Sequence, residues 1–234
     1  MKPDSHKKPK SPDLTGMIKS PAFICVTAYT LILYAGWTIA WLIILYVKAN
    51  SRLLNDPLSE FIYWTAMRMI LWVYPAILLL RRFGFRFSDV FPAGRIKSII
   101  LWGAGAGLAS GLTTIIYRLL SKQTLIFITW DWPLITKVVL APIVEELFFR
   151  GAVCRVLMTR IKFPAANLLT GLLFLMAHIP GWYFKGNLAD MLLSPAGGAL
   201  GVLVLGWVFG FAAYKGRSVA AGILAHAVNN FFAM

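Results

Sequence analysis

Seven apolar stretches, each long enough or nearly long enough to cross a bilayer, divide this chain and exclude most folds at once. They run at about Ala22–Val47, Leu58–Leu80, Ile99–Leu119, Leu134–Leu157, Pro164–Ile179, Pro195–Tyr214 and Val219–Ala233. A helical span takes about 20 residues, with roughly 17–25 usual. The fifth and seventh are short, which suits helices enclosed by other helices or a locally thinned bilayer. The expectation is an all-α fold: a polytopic membrane helix bundle of about seven transmembrane helices. Composition agrees, because only 14% of residues are charged and 59% are hydrophobic, whereas a soluble globular chain carries roughly a quarter charged residues.

Basic residues fall in alternate connections. Lys2, Lys7, Lys8, Lys10 and Lys19 precede the first stretch; Arg81, Arg82, Arg86, Arg95 and Lys97 separate the second from the third. Arg155, Arg160 and Lys162 follow the fourth, and Lys215 and Arg217 separate the sixth from the seventh. The positive-inside rule then places the N-terminus in the cytoplasm and the C-terminus outside. The net charge of +14 therefore reads as topology signal and contact with anionic lipid headgroups, not as nucleic-acid binding. Residues 1–20, basic and rich in Pro and Ser, read as a cytoplasmic tail. Residues 21–234 read as a single transmembrane domain with its chemistry in 134–234.

Local punctuation fits these boundaries. Ser194-Pro195 reads as an N-cap with proline at the first helical position, Gly216 as a C-terminal stop, and Ser218 as the cap of the last helix. Gly107/Gly111, Gly197/Gly201 and Gly206/Gly210 read as close-packing pairs. Cys25 and Cys154 lie far apart in apolar runs and read as packing residues. Ser110 is read the same way, and Asp131 and Asp190 fall in external connections.

The chain has three glutamates, and two of them, Glu145 and Glu146, are adjacent inside the fourth apolar stretch. Ionisable groups at bilayer depth cost several kcal/mol each, so they mark function or a paired structural role. Glu146 and Arg150 are four apart on one helical face, acid before base, the favourable order for an ion pair. Glu145 points about 100° away and lacks that partner. Pro142 withholds a hydrogen bond from the carbonyl four residues earlier, which favours a bend that admits water. Phe174 and His178 are also four apart, with Pro180 ending the helix near the histidine. His226 and Asn230 repeat the spacing in the last stretch, beside Asn229. An imidazole beside an amide can donate to the negative charge that develops on a carbonyl oxygen. Each of these pairs has a structural reading too, as a buried ion network or interhelical hydrogen bonding.

Glu145-Glu146-x-x-x-Arg150, Phe174-x-x-x-His178 and His226-x-x-x-Asn230, in that order, resemble the three motifs of the CAAX protease and bacteriocin-processing family. That family includes prenyl-protein endopeptidases of the Rce1 type and the bacterial Abi proteins. The resemblance covers residues 134–234; the first three stretches match only in being apolar. It implies an intramembrane endopeptidase acting on a membrane-associated protein or peptide, in a bacterial cytoplasmic membrane. Glu145 with His178 would activate water, Glu146 and Arg150 would hold the geometry, and His226 and Asn230 would stabilise the oxyanion. Glu145, His178 and His226 could instead supply three ligands of a catalytic zinc with an open fourth position; the metal-free glutamate mechanism is preferred. Two other functional classes remain open: a non-catalytic immunity or sensor-regulating partner, and a proton-coupled transporter, which the lack of an internal repeat weakens.

Overall fold

The computed structural model describes residues 16, 18–121, 131–194 and 197–233, and every regular element among them is helical. The N-terminal tail therefore lies almost wholly outside the described residues. Helix α1 spans Pro21–Asn50, with the Ser20 hydroxyl accepting from the Phe23 amide and Pro21 at the first position. Helix α2 spans Pro57–Arg82. It is capped by Asp56, whose carboxylate accepts from the amides of Leu58 (3.1 Å) and Ser59 (3.0 Å). The Ser59 hydroxyl and these amides hold the Asp56 carboxyl below the usual aspartate range. Helix α3 spans Ile96–Leu120.

Helix α4 is a continuous run over 132–157 that starts on the Asp131 cap, whose carboxylate accepts from the Leu134 amide at 2.8 Å. Helix α5 spans Phe163–Met176 and α6 spans Ile179–Phe184; the two cross together as Phe163–Phe184 with a break at Ala177-His178. A short α7 (Leu188–Leu193) leads to α8 (Ala199–Gly216) and α9 (Val219–Phe232). Five of these segments are long and apolar enough to cross a membrane: α1, α2, α3, α5 with α6, and α8. The count of seven then rests on α9, which is apolar but shorter, and on α4, which is long but carries Lys137, Glu145, Glu146, Arg150 and Arg155.

Both ends of the sixth helix differ from the sequence expectation. The sixth helix begins at Ala199 with Gly198 as its cap, while Ser194 ends α7 and Pro195 lies outside the described residues. Gly197 (φ +75°) sits in a left-handed turn that only glycine adopts cheaply, so it is a turn residue and not a helix-packing one. The left-handed position after α8 is Arg217 (φ 51°), one residue beyond Gly216.

Pro75 and Pro142 each follow a stretch that has opened into π-helix, Met69–Val73 in α2 and Thr136–Leu140 in α4. A proline lacks the amide that would bond the carbonyl one turn back, and the widened turn before it accommodates the loss. Immediately after Glu146, α4 widens again over Leu147–Cys154.

Since lipid tails are as apolar as leucine, helix association here depends on close van der Waals packing and buried polar contacts. Helix α9 is enclosed by α3, α4 and α8. A glycine strip on α3 lets it approach. A Cβ on Gly107 would stand 2.8 Å from the Ala225 carbonyl, and one on Gly111 would meet the Phe232 ring. Trp72, Phe148, Phe149 and Phe174 form the aromatic centre, meeting edge to face with centroids 5.1–6.0 Å apart. Ile24, Leu31, Ile32, Ile39, Leu42 and Ile43 on α1 point outward and exposed, as a lipid-facing surface requires.

Candidate active site

The two glutamates separate as helical spacing predicts: Glu146 is 0% exposed, while Glu145 is half-buried. Glu146 Oε1 accepts from Arg150 Nη1 at 2.9 Å and from His226 Nδ1 at 3.0 Å. Arg150, itself 5% exposed, donates its other terminal nitrogen to the Gly206 carbonyl on α8. One carboxylate and one guanidinium therefore tie α4, α8 and α9 together. Gly222, one turn before His226, makes room for this. A Cβ there would lie 3.0 Å from Glu146 Oε2 and 3.1 Å from the Phe209 carbonyl. Because a carboxylate and a carbonyl only accept hydrogen bonds, the partner fixes which ring nitrogen of each histidine carries the proton. His226 must be protonated at Nδ1, leaving Nε2 as its uncommitted nitrogen.

His178 sits at the break between α5 and α6. Its Nδ1 faces the Phe174 carbonyl at 2.9 Å, so Nδ1 is again the donor and Nε2 is again free. The helix break follows from Pro180: with no amide hydrogen there, the α5 hydrogen-bond ladder stops and the histidine emerges half-buried. Glu145 is the charged group acting most strongly on His178, and His226 and Arg150 also lie within its electrostatic reach. The Phe174 ring organises the group. Its centroid is 4.8 Å from the His178 ring, 5.9 Å from the His226 ring and 4.6 Å from the Arg150 guanidinium carbon. His226 is stacked on Phe209 at 4.5 Å.

Asn230, half-buried on α9, donates from its amide nitrogen to the Lys137 carbonyl at 2.9 Å. The second amide hydrogen is uncommitted. Its neighbour Asn229 is buried and donates to Asn230 Oδ1 at 3.4 Å. Glu145, Glu146, Arg150, His178 and His226 thus gather in one region, and Asn230 on α9 is tied to α4 through the Lys137 carbonyl. Glu145, His178 and His226 are the candidate zinc ligands by sequence; among the described residues, no group of three or more His, Cys, Asp and Glu side chains is placed to hold a metal ion.

Sequence spacing missed several contributors. The Gly206 carbonyl is a backbone group that residue patterns do not display. Gly222 lies four residues before His226, a spacing that puts a small residue on the functional face. Arg68 has its guanidinium 5.6 Å from the Trp37 ring centroid and lies within electrostatic reach of Glu145. Lys185 follows α6, with its ammonium 5.7 Å from the Trp41 ring centroid. Burial, then the like charges of Lys137 and Arg68, push Lys185 below the ordinary lysine range.

Comparison with known proteins found no match among curated proteins and none among solved structures. Residues 127–232 match the family model described as Type II CAAX prenyl endopeptidase Rce1-like. All seven motif residues, from Glu145 to Asn230, fall inside the matched segment, and so does the whole buried network that joins α4, α8 and α9. The similarity to that family rests on this C-terminal segment, a little under half of the chain.

Proposed function

We infer that this protein is an intramembrane endopeptidase that hydrolyses a peptide bond of a membrane-associated protein or peptide. The observation that carries the reading is the matched state of the two imidazoles. Each has Nδ1 committed to an acceptor, so each has Nε2 available around the same Phe174 ring, beside the half-buried Glu145.

In this mechanism a water lies between Glu145 and His178. His178 Nε2 accepts a hydrogen bond that orients it, and the Glu145 carboxylate takes its proton as the oxygen attacks the scissile carbonyl. The carbonyl oxygen becomes an oxyanion. The second amide hydrogen of Asn230 donates to it, as does a protonated Nε2 of His226, whose ring Glu146 holds in place through Nδ1. Collapse of the tetrahedral intermediate breaks the C–N bond, and Glu145 returns its proton to the leaving amine. Arg150 and Glu146 act as positioning residues that fix the His226 ring. Enclosure by helices excludes bulk water and strengthens each of these interactions.

The family similarity supports a substrate class: a lipid-modified or membrane-embedded chain, prenylated at a cysteine near its C-terminus or, in a bacterial setting, a peptide precursor. Basic connections at one end of the bundle support a cytoplasmic N-terminus. The test is cleavage of a farnesylated Cys-aliphatic-aliphatic-Xaa peptide by the reconstituted protein, alongside membrane proteomics of wild type and Glu145→Ala. The variant should leave a substrate uncut and accumulate no product. A biological role that survives the substitution intact would identify a binding partner in place of an enzyme. Treatment with a chelator should leave cleavage unchanged; loss that zinc restores would overturn the metal-free mechanism.

A further inference from the structure

At the end of the bundle away from Glu145, a cavity of about 280 Å³ lies among α4, α8 and the start of α9. Arg150 forms part of its wall, and Arg155, Arg217, Asp89, Ser218 and Tyr214 line it further out. The proposed reaction leaves Arg155 and Arg217 unused. Arg155 Nε is shielded from solvent without a hydrogen-bond partner among the described residues, and so is the Nε of the deeply buried Arg150. Arg217 is the one non-glycine residue with a positive φ among the described residues. That conformation costs of order 1–3 kcal/mol outside glycine, and such strain concentrates at ligand-binding positions. Ser218 opens the 14-residue α9, whose N-terminal end carries the positive pole of the helix dipole.

Charge counting narrows the ligand. Glu146 neutralises Arg150, and Asp89 offsets one of the two remaining arginines, which leaves one positive charge in excess. A phosphodiester carries a single negative charge and suits that balance. A shallower recess beside the cavity shares Tyr214 and adds Arg160 and Lys162. The Phe163 and Tyr214 rings stack at 3.8 Å between them, and Tyr214 is half exposed. Aromatic rings of this kind sit at headgroup level in membranes. The cavity also lies at the end of the bundle where the basic connections gather, next to the leaflet surface.

We propose that this cavity is a binding site for the phosphodiester headgroup of an anionic phospholipid, held by Arg155 and Arg217 at the N-terminus of α9. The site is separate from the peptidase reading, since binding is measured without cleavage. The experiment places the full chain in phosphatidylcholine nanodiscs with a small fraction of phosphatidylglycerol and counts retained lipid by native mass spectrometry. Wild type should retain phosphatidylglycerol over phosphatidylcholine. Arg217→Gly, which the left-handed backbone accepts, should lower that preference roughly tenfold, as loss of one charge-assisted contact does. Arg155→Gln should do the same, and Arg217→Gly carries the test alone if Arg155→Gln fails to fold. Lys97→Gln removes an exposed charge at the same end, outside the cavity, and should change nothing. Equal loss in Lys97→Gln would overturn the site in favour of diffuse surface attraction. Inorganic phosphate that displaces the lipid at matching concentration would overturn the lipid assignment.

Discussion

Replacing each of the two adjacent glutamates by glutamine should separate framework from chemistry. In Glu146→Gln the shape is kept but the charge between Arg150 and His226 is lost. Glu146 is fully buried, and its Oε1 serves both partners at 2.9 and 3.0 Å. Breaking a buried pair by removing one partner costs about 3–5 kcal/mol, because the other charge stays buried and uncompensated. For a chain of this size each kcal/mol moves the unfolding midpoint by about 2–4 °C, so the variant should melt roughly 6–20 °C lower. Glu145 is half-buried and has no hydrogen bond among the described residues. No ion pair joins it to Arg68 or His178 among the described residues, and an indirect charge interaction of this kind is worth about 0–1 kcal/mol. Glu145→Gln should therefore melt within about 4 °C of wild type while cleavage falls by about 10²–10⁴-fold, the usual contribution of a positioned general base.

The assay is thermal unfolding in one detergent or nanodisc composition, paired with peptide cleavage. A double-mutant cycle sharpens it. Arg150→Met in the Glu146→Gln background should recover stability, with a coupling of about 0.5–3 kcal/mol. Equal destabilisation by the two glutamine variants would refute the division of labour. So would a Glu145→Gln enzyme that turns over at the wild-type rate.

Asn230→Ala should lower kcat by about 10²–10³-fold with little change in KM, the signature of a lost oxyanion donor, measured on the same peptide. Gly222→Ala should cost about 1–3 kcal/mol in thermal unfolding, because its methyl must push a buried carboxylate and a backbone carbonyl, neither of which can swing away. Lys185, its pKa depressed by burial and neighbouring cations, should react with amine-directed reagents at lower pH than the exposed lysines. Mass spectrometry across a pH series checks this. The sign follows from the neutral amine being both the nucleophile and the form that the folded environment favours.

The sequence made the helical spans legible because a bilayer leaves helices as the way for an apolar run to satisfy its own backbone. It made the Glu146–Arg150 pair legible because four-residue spacing is local. Two histidines near one pocket were suggested by their i, i+4 partners, Phe174 and Asn230. The boundary of α8 was not legible, because Ser-Pro is a strong start signal and Gly197 was counted as a helix residue when it belongs to a turn. The bond from Arg150 to the Gly206 carbonyl was hidden for a different reason. It joins residues 56 apart in sequence through a backbone oxygen that every residue type carries.

Helix α4 carries more charge than a lipid-facing span tolerates, and each of those charges but one is accounted for by packing. Glu146 and Arg150 neutralise each other inside the bundle. Arg155 lies near the α4 terminus with its guanidinium carbon 5.6 Å from the Phe85 ring centroid. Lys137 is exposed near the other end, and its carbonyl takes the Asn230 amide. Glu145 is left half-buried with neither a hydrogen bond nor an ion pair among the described residues, within electrostatic reach of His178. A helix that needed only to be held in place would be more stable with an apolar residue there. In the proposed mechanism the charge at Glu145 is put to use by a water poised against a peptide carbonyl.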